Sequence, residues 1–166
     1  MNDAGKRSRI PLSAMTRPDM WLATGFGSGL SPWAPGTFGS VVGVLFYMAL
    51  AGLSLPVYLG VVLALAIAGI FLCDRAGKVL GVADHPGIVW DEIVGVLVTL
   101  TATPLSWQGV VLGFALFRFF DILKPWPVAT IDRRVGGGLG VMLDDVMAAL
   151  YALASLQILR HTFEIP

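Results

Sequence analysis

From Met20 to Cys73 the chain contains no Asp, Glu, Lys or Arg. Over all 166 residues only 13% are charged and 56% are hydrophobic, where a soluble domain carries about 25% charged residues. Mean hydropathy is +0.79. This scarcity of charge argues against an ordinary soluble domain and for an integral membrane protein. The charges present balance, 11 basic against 11 acidic, so there is no basic surface for nucleic acid and no acidic tail. Cysteine occurs once, as Cys73, and histidine twice. A lone cysteine makes neither an internal disulfide nor a paired-Cys metal site, and Cys73 reads as a packing residue. The N-terminal MNDAGKRSRIPLSAMTRPDM is basic but lacks the apolar core of about 7–15 residues and the small-residue cleavage site of a signal peptide. Residues 1–19 are therefore expected to remain as a cytoplasmic tail.

What is present is apolar runs separated by polar segments. Phe38–Leu53 and Leu55–Cys73 are split by Gly52, Ser54 and Pro56, which fits two helices and a short turn better than one long helix. A charged segment, Asp74–Glu92, follows. Ile93–Phe117 is again uncharged and is interrupted by TATPLS around Pro104. A second polar segment ends at Asp145, and a last apolar run covers Val146–Leu159. Lys6, Arg7, Arg9 and Arg17 place the N-terminus inside by the positive-inside rule. A single span over Ile93–Phe117 would put Lys124, Arg133 and Arg134 outside; a hairpin turning at Pro104 keeps them inside. The expectation is an all-α integral membrane protein, a compact bundle of about four to five transmembrane or re-entrant helices with cytoplasm-facing polar loops. Residues 20–160 would form one membrane-embedded catalytic domain and residues 161–166 a C-terminal tail.

Each limb of that hairpin is too short to cross a core of about 30 Å without its charged ends. Charge at the bilayer centre costs about 2.5–3.5 kcal/mol per residue on insertion scales, and ionisable groups in such segments pair or bind ions. Four clusters meet this description. GFGSGLSPWAPGTFGS, Gly25–Ser40, precedes a helix whose backbone N–H groups could face an anion, or it is a flexible re-entrant segment; no P-loop Lys follows. DHPGIVWDEIVG, Asp84–Gly95, opens a helix with Asp91 and Glu92, acids that also complement a helix dipole. His85, beside Pro86, reads more simply as a loop histidine. In FRFFDILKPWPVATIDRR, Phe117–Arg134, Arg118, Asp121 and Lys124 recur at three-residue spacing on neighbouring turns until Pro125 and Pro127 stop the helix. In GGGLGVMLDDVMAALYA, Gly136–Ala152, Asp144 and Asp145 are expected to start the last helix. Asp132, Arg133 and Arg134 read as a solvated cytoplasmic face that attracts anionic headgroups.

Converging carboxylates repel unless cations or protons intervene. Oxygen ligands without Cys or His favour Mg²⁺ or Mn²⁺ over zinc. Arg supplies a fork for phosphate and Lys a point charge. Together these suit phosphoryl chemistry, and a site at headgroup level suits a phospholipid.

The strings PGTFGS, DHPGIVWDEIVG, FRFFDILKPWPVATIDRR and GGGLGVMLDDVMAALYA, in this order from Gly25 to Ala152, resemble the phosphatidylglycerophosphatase A family. The resemblance implies a magnesium-dependent, multi-pass enzyme of the bacterial cytoplasmic (inner) membrane with its active site facing the cytoplasm. Its expected reaction is hydrolysis of the terminal phosphomonoester of phosphatidylglycerophosphate to phosphatidylglycerol. Ala149 departs from a family pattern that often has Gly after the two aspartates, a matter of helix packing.

The expected assignments are these. Asp91, Glu92, Asp144 and Asp145 hold one or two Mg²⁺ ions. Asp121, Glu92 and Asp145 are the catalytic candidates, with Asp121 a further ligand or the base that orients water. Arg118 and Lys124 hold the phosphate, with Thr37 and Ser40 as further candidates. Asp84 and His85 are second-tier. Rival phosphatases lack their parts: Cys73-Asp74-Arg75 has the wrong Cys-to-Arg spacing, there is no Asp-x-Asp, and a histidine nucleophile finds too few histidines. Metal-activated water remains. A CDP-alcohol phosphatidyltransferase, a phosphatase for another lipid phosphate and a small ion carrier are the alternatives.

Overall fold

The structure is a computed structural model and describes residues 10–165. Among these residues it is all-helical, with seven α-helices, not the four to five expected: α1 (Pro18–Ala23), α2 (Pro35–Leu50), α3 (Leu55–Leu80), α4 (Trp90–Thr99), α5 (Trp107–Leu123), α6 (Val128–Arg134) and α7 (Gly137–Phe163). The two surplus helices, α1 and α6, are short and begin at or directly after a proline, whose fixed φ suits a first turn. Lys6, Arg7 and Arg9 of the expected tail lie outside the described residues. Within the rest of that segment, Ile10 and Ala14 are buried in the core. At the other end α7 runs on through Arg160 to Phe163, taking in part of the expected 161–166 tail.

Ile93–Phe117 divides into α4 and α5. Gly95 faces the Phe117 ring and Gly113 faces Leu100, a pairing that makes the two helices antiparallel. Ser106 caps α5, its hydroxyl accepting from the Gly109 N–H at 3.1 Å. α4 is the central helix. It is apolar on nearly every face and packs on α2, α3, α5 and α7, as a helix hydrophobic all round must. Gly43 lets α2 approach it closely, since a Cβ there would lie 2.9 Å from the Val96 Cβ. The start of α4 is pinned by the Val89 N–H to the Ala23 carbonyl at 2.9 Å and by the Trp90 indole N–H to the Leu65 carbonyl at 3.1 Å.

Ten residues carry α4 only about 15 Å, so it ends inside the bundle and its last carbonyls need partners. Tyr58 donates to the Leu97 carbonyl at 2.7 Å, and Tyr47 donates to that of Thr103. Gln157 and Arg160 of α7 donate to Thr101 and Ala102 at 3.1 and 3.2 Å. Arg160 thus serves the turn at this end, while the acids gather at the other.

α3 and α7 are long and apolar enough to cross a membrane, and α2 is a shorter apolar helix. The outward faces are apolar too. On α3, Leu59, Leu63, Ile67 and Phe71 form one exposed row at four-residue spacing, with Leu63 62% and Phe71 66% exposed.

Candidate active site

α7 begins at Gly137, so Asp144 and Asp145 sit about two turns along it rather than at its start. Gly137, Gly138 and Gly140, which precede the expected helix start, lie within the helix and allow close contact with α3. A Cβ on Gly138 would overlap the Ile70 carbonyl and crowd Asp74. Asp144 and Asp145 are buried against α4, and a first-turn dipole role does not account for them.

Asp91 and Glu92 face them from the first turn of α4. One carboxylate oxygen from each of Asp91, Glu92 and Asp145 lies within 4.8 Å of the others. From the end of α5, Arg118 pairs with Asp121 at 2.7 Å and approaches Glu92 at 3.9 Å. α2 closes this side, because a Cβ on Gly36 would collide with Glu92 Oε1 and come within 3.1 Å of the Arg118 guanidinium. Thr37 follows in the same turn. The buried Ser40 hydroxyl donates to the Gly36 carbonyl at 2.8 Å.

Lys124 does not continue the pattern of Arg118 and Asp121. The helix ends at Leu123, and Lys124 caps it with φ +44° before Pro125. Its ammonium donates to Asp144 at 2.6 Å and to Asp132 at 2.8 Å. Burial works against its charge, but these two hydrogen bonds outweigh it and raise the ammonium above the usual lysine range. Asp132, expected on a solvated face, therefore joins the site. Helical spacing could not reveal it, since the chain reverses between the two residues.

Asp84, Asp91, Glu92, Asp121, Asp144 and Asp145 line a cavity of about 100 Å³, together with Lys124. Burial, against the pull of Lys124, raises the Asp84 carboxyl above its ordinary range. His85 is turned elsewhere: its Nδ1 accepts the Gly87 N–H at 3.0 Å, and it lines a separate cavity of about 590 Å³ with Ile10, Leu30 and Pro35. Pro86 lines both cavities.

The donor set fits a hard divalent cation. Asp91 Oδ1, Glu92 Oε2, Asp144 Oδ1 and Asp145 Oδ2 are buried without a hydrogen-bond partner among the described residues. Buried polar atoms are rarely left unbonded, and the three carboxylates that come within 4.8 Å of one another, Asp91, Glu92 and Asp145, could share a cation held by oxygen; Asp144 is not in that group and gives its other oxygen to Lys124. Arg118 and Lys124 add the charge that would receive an anionic substrate.

The chain is similar to a phosphatidylglycerophosphatase A from Escherichia coli K12, with 43% identity over 148 residues, covering 89% of this chain and 86% of the relative. A phosphatidylglycerophosphatase A from Haemophilus influenzae is 46% identical over 142 residues, covering 84% and 87%. A Bacteroides thetaiotaomicron protein, provisionally named a phosphatidylinositol-3-phosphatase, is 38% identical over 159 residues, covering 88% and 98%. No solved structure matches. The family described as Phosphatidylglycerophosphatase A matches residues 21–160, a stretch that contains every acidic and basic residue of the site, and the chain belongs to that family.

Proposed function

We propose that this protein hydrolyses the terminal phosphomonoester of phosphatidylglycerophosphate, yielding phosphatidylglycerol and inorganic phosphate, at the cytoplasmic leaflet of the bacterial inner membrane. The observation that carries the reading is the group of buried, unbonded carboxylate oxygens on Asp91, Glu92, Asp144 and Asp145 beside Arg118 and Lys124, in a chain of this family. Mg²⁺ is the cation proposed, held by those four residues. Bound there, it would supply Lewis-acid charge at the phosphoryl group and activate water.

The chain's own residues do the rest. Arg118 and Lys124 bind the phosphate oxygens and offset their charge. Asp121, held by Arg118 at 2.7 Å, orients water or accepts its proton. Glu92 and Asp145 fix the reacting centre from two helices. The Gly36 N–H at the start of α2 is the donor offered to the phosphate from the third side; the Thr37 N–H and the Ser40 hydroxyl are already given to the Ala34 and Gly36 carbonyls and support that turn. The small acidic cavity suits a phosphoryl group, and the adjoining cavity of about 590 Å³ suits the glycerol part of a lipid.

Membrane placement rests on charge and exposure. Arg75, Arg133 and Arg134 are exposed at the acid end, which by the positive-inside rule faces the cytoplasm. The exposed apolar rows of α2 and α3 would face acyl chains, which explains a surface that water would penalise.

The test is phosphate release by the purified protein from phosphatidylglycerophosphate in detergent micelles, with phosphatidylinositol 3-phosphate as a comparison substrate. Mg²⁺-dependent release from the first and little from the second is expected. Preference for the inositol lipid would transfer the chemistry to another headgroup, and no release from either would overturn the reading. Arg118→Lys keeps the charge but loses the fork, and it should lower kcat/KM by about 10–100-fold in the same assay.

A further inference from the structure

We infer that Asp132 is a positioning residue of this site, holding the Lys124 ammonium where it can meet the substrate phosphate. The inference rests on the proposed phosphatase reading and adds a residue to it.

A lysine ammonium on a four-carbon stem is a mobile point charge, unlike the fixed fork of arginine. Here it is gripped from two sides. Asp144, with a side chain only 7% exposed, takes it at 2.6 Å from within. Asp132, 36% exposed, takes it at 2.8 Å from without. Asp144 also lines the acidic cavity and has a buried oxygen, Oδ1, without a hydrogen-bond partner among the described residues. Asp144 can serve a cation through Oδ1 while Lys124 stays on Oδ2, and Asp132 is the carboxylate whose contact at the site is with Lys124 alone.

The segment that presents Asp132 is itself anchored. Val128 is buried, α6 packs on α7, and the Tyr151 hydroxyl donates to the Trp126 carbonyl at 3.1 Å. These contacts bring Asp132 back beside Lys124 after the Pro125 and Pro127 reversal. A partly exposed ion pair contributes little to stability, so a purely structural role leaves the arrangement without a purpose.

The experiment is a double-mutant cycle on Asp132→Asn and Lys124→Ala, with Asp132→Glu as the conservative variant and phosphatidylglycerophosphate micelles as substrate. Asp132→Asn is expected to lower kcat/KM by about 10-fold, chiefly through KM, with the melting temperature within about 2 °C of wild type. Lys124→Ala is expected to lose about 100-fold. The double variant should lose no more than Lys124→Ala alone, because Asp132 acts through Lys124, and Asp132→Glu should recover most of the loss. Wild-type kcat/KM in Asp132→Asn, or losses that multiply in the double variant, would overturn the inference while leaving the phosphatase reading intact. A wild-type protein that releases no phosphate would instead remove the reading beneath it.

Discussion

Asp145→Asn should abolish phosphate release while making the metal-free protein more stable. Loss of a ligand that also faces the reacting phosphoryl group should lower turnover by about 10³-fold or more, at or above the upper end for removing one electrostatic group. The gain in stability has the same origin. Asp91, Glu92 and Asp145 hold carboxylate oxygens within 4.8 Å of one another, and like charges so close destabilise the folded chain. An amide of the same shape removes one of them. The melting temperature without Mg²⁺ should rise by a few degrees, and the further rise that Mg²⁺ gives the wild type should shrink. Ligand linkage sets that rise at about 2.7 kcal/mol for a cation at 100 times its Kd. Calorimetry or a thermal-shift assay with and without Mg²⁺ checks both. A variant that is inactive but less stable than wild type in the absence of metal would contradict the account of the cluster.

Gly138→Ala should be strongly destabilising. The added methyl would meet the Ile70 carbonyl and the backbone of Asp74, and neither is the end of a flexible side chain. α3 and α7 would have to separate where they now touch. Overpacking of a core costs about 1–3 kcal/mol and occasionally more; with backbone on the opposing side the upper end is expected. For a chain of this size that is a loss of about 6–12 °C in melting temperature. Activity should fall with it, because Asp144 and Asp145 lie two turns along the displaced helix. Gly136→Ala is the control, since nothing lies within 4 Å of a Cβ there.

The pattern of charge in the sequence was enough to read much of this arrangement. Gly52, Ser54 and Pro56 mark the break between α2 and α3 and Pro104 the one between α4 and α5, and the pairs Asp91-Glu92 and Asp144-Asp145 line one cavity. Three features stayed hidden for physical reasons. Local composition cannot tell a glycine run that loosens a loop from one that admits a neighbouring backbone, so α7 begins seven residues before Asp144. Spacing along a helix cannot follow a side chain once the helix stops, so Lys124 finds Asp144 and Asp132 rather than Asp121. The polar end formed by Tyr47, Tyr58, Gln157 and Arg160 had no sequence signal either. It exists because α4 stops short inside the bundle and leaves carbonyls to be satisfied.

Hydrolysis is proposed to depend on a cation held by Asp91, Glu92, Asp144 and Asp145. The most direct measurement is a Mg²⁺ titration of phosphate release from phosphatidylglycerophosphate, run in parallel on wild type and Asp145→Asn with both shown to be folded. Saturable, chelator-reversible release in the wild type and none in the variant over the same range is the expected result. Release that persists without any divalent cation, or a variant that turns over like the wild type, would contradict it.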